Sequence, residues 1–81
     1  MKKVSSYMGF SCGEKVYFYQ DSVHPCVSGE IKKILLTKGE NGASLHIHWD
    51  NTNIISVVPY EHVFKSEELC RAYSPSLRGD A

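Results

Sequence analysis

Between Val27 and Thr37 the side chains alternate apolar and polar, and the beat changes phase once. Val27, Gly29 and Ile31 fall on one side, with Ser28, Glu30 and Lys32 on the other. Lys32-Lys33 interrupts the pattern, and Ile34 and Leu36 resume it in the opposite phase. Strand side chains have a period of two, so one extra residue, a β-bulge, is needed to return the apolar set to its original face. A bulge bends a strand hard, and a bent strand lets a small sheet close on itself.

A second alternation follows in Leu45-His46-Ile47-His48-Trp49-Asp50. Leu45, Ile47 and Trp49 take the core face. His46 and His48 share the other, joined by Asp50 at the strand end. Lys38–Gly42 lies between the two segments as a hairpin turn, with Asn41-Gly42 its strongest signal. Upstream, Val16–Gln20 is β-branched and aromatic without alternation, which suits a strand covered on both faces or meeting a partner. Asp21–Pro25 is a loop. Downstream, Ile54–Val58 is a short apolar strand ended by Pro59. Tyr60-Glu61-His62 suits one 3₁₀ turn, and Val63–Lys65 a last strand. Ser66 can cap a helix whose first turn carries Glu67 and Glu68, with Pro75 ending it.

The expected fold is therefore all-β: a small five-stranded barrel with a 3₁₀ turn and a short C-terminal helix. Residues 1–9 are expected to form a loose leader, 10–73 the barrel with its closing helix, and 74–81 a flexible tail. Strand, long loop, bent strand, hairpin, strand, tight turn and strand is the order that SH3-like barrels use, and closure removes exposed sheet edges.

Eighty-one residues make one domain near the lower size limit for folding alone. Nine basic and nine acidic side chains cancel, which argues against non-specific binding to nucleic acid or an anionic membrane. A nucleic-acid surface would need Lys32, Lys33, Lys38 and Arg71 gathered on one face. The three cysteines, Cys12, Cys26 and Cys70, are odd in number and form no CxxC pair. They read as small apolar fillers in a reducing cytoplasm, not as a zinc site or a disulfide framework. Met1-Lys2-Lys3 is not followed by the apolar run of a signal peptide, and no segment is long enough to span a bilayer.

His46 and His48 could bind a divalent metal if a third ligand arrived from His24, His62, Asp50 or Cys26. The alternative is a solvated strand face, and no metal or cofactor is expected. No catalytic signature surrounds any serine or cysteine. Among the aromatics, Phe18, Trp49 and Phe64 are needed as core, which leaves Tyr17, Tyr19 and Tyr60 for a surface. That surface suits a peptide or methyl-lysine groove, or a subunit contact, and small size favours the contact. Arg78-Gly79-Asp80 is read as a coincidental tripeptide in the tail.

Three runs carry a resemblance: Phe10-x-x-Gly13-Glu14-Lys15-Val16, Val27-x-Gly29-Glu30-Ile31, and Ser56-Val57-Val58-Pro59-Tyr60. Across residues 10–65 the chain resembles SH3-like barrels of small bacterial proteins, including the plasmid-borne type II dihydrofolate reductases carried by integron gene cassettes. That family uses a Val-Gln-Ile-Tyr strand and a nearby lysine in a pore made by four subunits. Val57 and Tyr60 match. The glutamine falls at Val58, the isoleucine at Pro59 and the lysine at Phe18, so the residues for pterin and nicotinamide are missing. Val63–Leu69 also resembles the last strand and closing helix of SH3-like proteins from phage and mobile elements. The resemblance implies a barrel that oligomerises, without the reductase activity.

The expected function is therefore a cytoplasmic, non-enzymatic interaction module that forms a homodimer or larger assembly, with a peptide or small ligand as a further partner. Its binding residues are Tyr17, Tyr19, Tyr60, His46 and His48. The alternatives are a small metal-dependent or oligomeric-pore enzyme using His46 and His48, and a nucleic-acid-binding barrel.

Overall fold

The computed structural model describes residues 2–37, 39 and 41–77. Its strands are β1 (Lys2–Val4), β2 (Ser6–Tyr7), β3 (Phe10–Ser11), β4 (Lys15–Phe18), β5 (Val27–Thr37), β6 (Gly42–Trp49), β7 (Ile55–Pro59) and β8 (Val63–Phe64). A 3₁₀ turn, Tyr60–His62, joins β7 to β8, and the helix α1 spans Glu67–Leu77. The main sheet runs β7-β6-β5-β4-β8, and β1 pairs with β5 beyond the end of β4. The sheet curls into a half-barrel. Among the described residues no pairing joins β7 to β8, so the ladder is not closed.

The phase change in β5 is a bulge. Ile31 pairs with Ile47 and Lys33 with His46, which leaves Lys32 as the extra residue. Lys32 is exposed, while Ile31 and Ile34 on either side of it are fully buried. The second half of β5 can then leave β4 and take β1 as its neighbour. At Gly29, β5 approaches β6 closely. A Cβ there would stand 2.5 Å from the His48 carbonyl oxygen and 2.7 Å from Ile47 Cγ2.

Val16, Phe18, Ile31, Ile34, Leu45 and Ile47 are the fully buried centre of the core, ringed by Phe10, Leu36, Ala43, Val58 and Val63. Phe18 fills the core as expected. Trp49 packs against the core from its edge, half-buried and edge-on to Phe18 at 6.1 Å, whereas Phe64 is half-buried outside the core cluster. The indole N–H of Trp49 donates to Ser56 Oγ at 2.8 Å, which keeps that end of the ring at the rim. Phe64 stacks on Tyr73 of α1, with centroids 5.8 Å apart and planes 2° from parallel.

Residues 2–11, nearly all of them read as a loose leader, are ordered. β1 pairs antiparallel with Ile34–Leu36, and β2 and β3 form a hairpin across Met8-Gly9. Both turn residues have positive φ, 50° and 84° respectively. That is the geometry of a two-residue hairpin whose twist matches its strands. The expectation failed because β1 finds its partner some thirty residues away.

Lys65 anchors this hairpin to the C-terminal strand. Its ammonium group donates to the Gly9 carbonyl, lies 2.5 Å from Glu14 Oε2 and sits 4.7 Å from the centroid of the Phe10 ring.

Pro75 does not end the helix, which continues to Leu77. Proline removes one N–H and crowds the carbonyl four residues back. The last turn is held from its side instead: Ser74 is buried, and its hydroxyl lies 2.6 Å from the carbonyls of both Pro25 and Cys70. At the other end Ser66 Oγ accepts from the Leu69 N–H at 3.2 Å, the expected cap. The Lys38–Gly42 turn falls between β5 and β6, with Lys38 and Glu40 outside the described residues; Arg78-Gly79-Asp80 also lies outside them.

Candidate functional site

β6 carries the two histidines on its outer face because Leu45 and Ile47 turn inward. His46 stands between Lys33 of β5 and Val57 of β7, and His48 between Glu30 and Ile55. Both imidazoles are half-buried. Burial and then the Lys33 charge push the His46 pKa below its usual value. It is thus a neutral group at physiological pH, able to donate from one ring nitrogen and accept at the other.

The candidate third ligands are engaged elsewhere. Asp50 lies 2.7 Å from Lys15 Nζ, and that ion pair is the main cause holding its carboxyl below the usual range. His24 lies 3.2 Å from Asp21 Oδ1 and tilts against the Trp49 ring at 5.4 Å. His62 meets the edge of Tyr19 at 6.0 Å. Cys26 faces the Glu67 carbonyl at 3.9 Å. Among the described residues no group of three or more His, Cys, Asp or Glu side chains converges on a point.

The three surface tyrosines are half-buried and spread over different neighbours. Tyr17 lies on β4, a strand flanked on both sides, and pairs with Ser28 and Phe64. Tyr19 packs on His62. Tyr60 meets Tyr7 edge-on at 5.1 Å and rests against the core. The described ring contacts join none of the three to another.

Large apolar side chains are exposed at Met8 and Val23, at Leu69 and Tyr73 on α1, and at and just before β7. Ile54, Ile55 and Val57 are 49%, 57% and 60% exposed, and Pro59 is exposed as well. Ile55, Val57 and Pro59 stand on the same outer face as His48, His46 and Ser44, their partners in β6. Reasoning from sequence treated Ile54–Val58 as a short apolar strand and did not assign its faces. A signal was present: the run is apolar in both phases, yet a strand of a curled sheet offers only one face to the core. Val58 takes that inner face, and Ile55 and Val57 are left outside.

A second feature lies beneath α1. Pro25, Cys26, Arg71, Ser74 and Pro75 line a cleft. Cys70 is buried beside it, and burial, followed by the adjacent Cys26 thiol, pushes its pKa up to about 12. The Cys70 thiol donates to the Pro25 carbonyl at 3.5 Å, so it acts as filler and weak donor in the helix contact.

Comparison with known proteins identifies no relative: no family model, no curated protein and no solved structure matches the chain.

Proposed function

We propose that this chain is a non-enzymatic interaction module of the cytoplasm, built as an SH3-like barrel, that associates with copies of itself. The strand order β7-β6-β5-β4-β8, the bulge in β5 and the 3₁₀ turn before β8 support the barrel reading. No described helix is long and apolar enough to cross a membrane.

The observation that carries self-association is the position of the exposed apolar side chains. Ile55 and Val57 share the outer face of the last strand of the sheet, with exposed Ile54 just before it. A small domain commonly covers such an edge with a partner. The surface differs from the tyrosine set read from sequence, because β4 already has a neighbour on each side. His46 and His48 remain part of it, as the next column inward from Val57 and Ile55.

The nucleic-acid alternative fares less well on charge. Lys15, Lys32, Lys65 and Arg71 each lie within 3.3 Å of a carboxylate oxygen, on Asp50, Glu30, Glu14 and Glu67 respectively. Paired cations release few counterions when they meet phosphate. Sedimentation velocity across a wide concentration range tests the proposal. A mass that rises with concentration is the expected result, and a strict monomer at millimolar concentration would end the self-association reading.

A further inference from the structure

β7 is the last strand of its sheet, and the hydrogen-bonding pattern identifies which of its backbone groups are open. The Trp49 N–H donates to the Ile54 carbonyl at 2.9 Å, in the same register that pairs Ile47 with Ser56 and Leu45 with Val58. Antiparallel partners alternate between hydrogen-bonded and non-hydrogen-bonded pairs. Ile54, Ser56 and Val58 therefore aim their backbone groups at β6, while Ile55, Val57 and Pro59 aim theirs away. The other side of β6 shows the complementary phase, since the Asp50 N–H donates to the Ser28 carbonyl at 3.1 Å.

Ile55 and Val57 thus present N–H, C=O and an exposed apolar side chain on one open edge. Among the described residues no strand pairs there. Residues 54–59, Ile-Ile-Ser-Val-Val-Pro, carry no ionisable group. The lysines and inward charges that blunt most sheet edges are lacking, and apposed copies would meet no like-charge repulsion.

We infer that β7 pairs antiparallel with β7 of a second copy of this chain, about a two-fold axis at Ser56, so that two sheets become one. This rests on the self-association proposed above and specifies its surface. Pro59 selects the register. With the axis at Ser56, Ile55 lies opposite the partner's Val57, and Val57 opposite the partner's Ile55. Each such pair exchanges two backbone hydrogen bonds, and neither pair calls on the proton that proline lacks. Moving the axis to Val57 would set the Pro59 ring against the partner's Ile55 carbonyl, where no donor exists. In the chosen register Ile55, Val57 and their two counterparts form one apolar cluster on the outer face, bordered by His46 and His48 of each copy. The interface is isologous, so it closes at two copies. A ribbon this short falls below the roughly 1,200 Å² of a standard stable interface, in the range of weak, transient association.

The test combines sedimentation velocity from about 10 μM to 1 mM with amide hydrogen exchange read by NMR, on the wild type and on Val57→Lys. The wild type should pass from monomer to dimer. The Ile55 and Val57 amides should exchange at least about tenfold more slowly at high concentration, while Ser56 stays protected throughout. Val57→Lys should weaken the dimer at least about tenfold, with a melting temperature unchanged at about 10 μM, where the wild type is monomeric, since residue 57 is exposed in the monomer. A wild type that dimerises with Ile55 and Val57 still unprotected would overturn this edge and leave self-association standing. A chain that stays monomeric at 1 mM removes both. Protection of the two amides only on adding a foreign extended peptide would hand the edge to another partner and equally overturn the two-copy reading.

Discussion

Replacing Gly29 with alanine is the sharpest probe of the curl. Gly29 is buried on the inner side of β5, opposite Trp49. The added methyl would lie 2.5 Å from the His48 carbonyl oxygen and 2.7 Å from Ile47 Cγ2. A comfortable carbon–oxygen contact is about 3.3 Å or more, so the first overlap is several tenths of an ångström. Ile47 can yield a little by turning its side chain. The carbonyl belongs to the backbone of a central strand, and moving it opens the β5–β6 ladder. Overpacking of this kind costs about 1–3 kcal/mol, with a strained ladder at the upper end. Against it stands the gain from exchanging glycine for alanine in a strand, about 0.5–1 kcal/mol. The net loss is about 2–2.5 kcal/mol, which for a domain of this size lowers the melting temperature by about 8–20 °C. Urea unfolding followed by the fluorescence of Trp49, the single tryptophan, measures it directly. A Gly29→Ala protein as stable as the wild type would mean that β5 does not approach β6 this closely, and the curled sheet would have to be redrawn.

The remaining expectations concern the helix, a histidine and the cysteines. Ser66→Ala removes the acceptor of the Leu69 N–H and should cost about 1 kcal/mol, seen as a lower urea midpoint, while Ser66→Asp should restore most of it. The folded-state pKa of His46 lies below its unfolded value, because burial and then Lys33 oppose the charged form. The unfolded chain therefore takes up this proton first. Stability is full above about pH 6.5, falls as pH drops through that value, and levels off below the folded pKa. His46→Gln should remove this contribution from a pH series of melting temperatures, and an unchanged acid slope would show that His46 does not supply it. Cys12 is exposed and Cys70 buried with its pKa pushed up to about 12. A thiol reagent at neutral pH should consume Cys12 promptly and reach Cys70 only on unfolding, and prompt labelling of Cys70 would contradict the packing of α1.

Much of the architecture was legible along the chain because it is written at short range. The phase change at Lys32-Lys33 announces the bulge, since a two-residue period tolerates no other way to keep Ile31 and Ile34 inside. Leu45, His46, Ile47 and His48 sort themselves by the same rule. Ser66 and the two glutamates after it mark a helix start by local chemistry alone. The placement of the candidate surface residues was only half legible: the histidines share the outer face of β6 as the alternation requires, while the tyrosines named with them pack on separate neighbours.

Sequence alone therefore settled that the segments of β4 to β8 extend, where the long strand bends and which side of β6 is dry. Only the tertiary structure decided that Lys2–Val4 is a strand, that α1 passes Pro75, and that the unpaired edge belongs to β7. The physical reason is separation. A strand's periodicity is set by its own side chains, but its neighbour is set by which backbone groups elsewhere remain unsatisfied once the rest has folded. β1 exists because β5 runs past the end of β4, and the Ser74 hydroxyl holds the last helical turn because the Pro25 carbonyl arrives from a distant loop. Ile55 and Val57 stand in water because the curl that buries Val58 turns their side chains outward and no described strand lies beyond them.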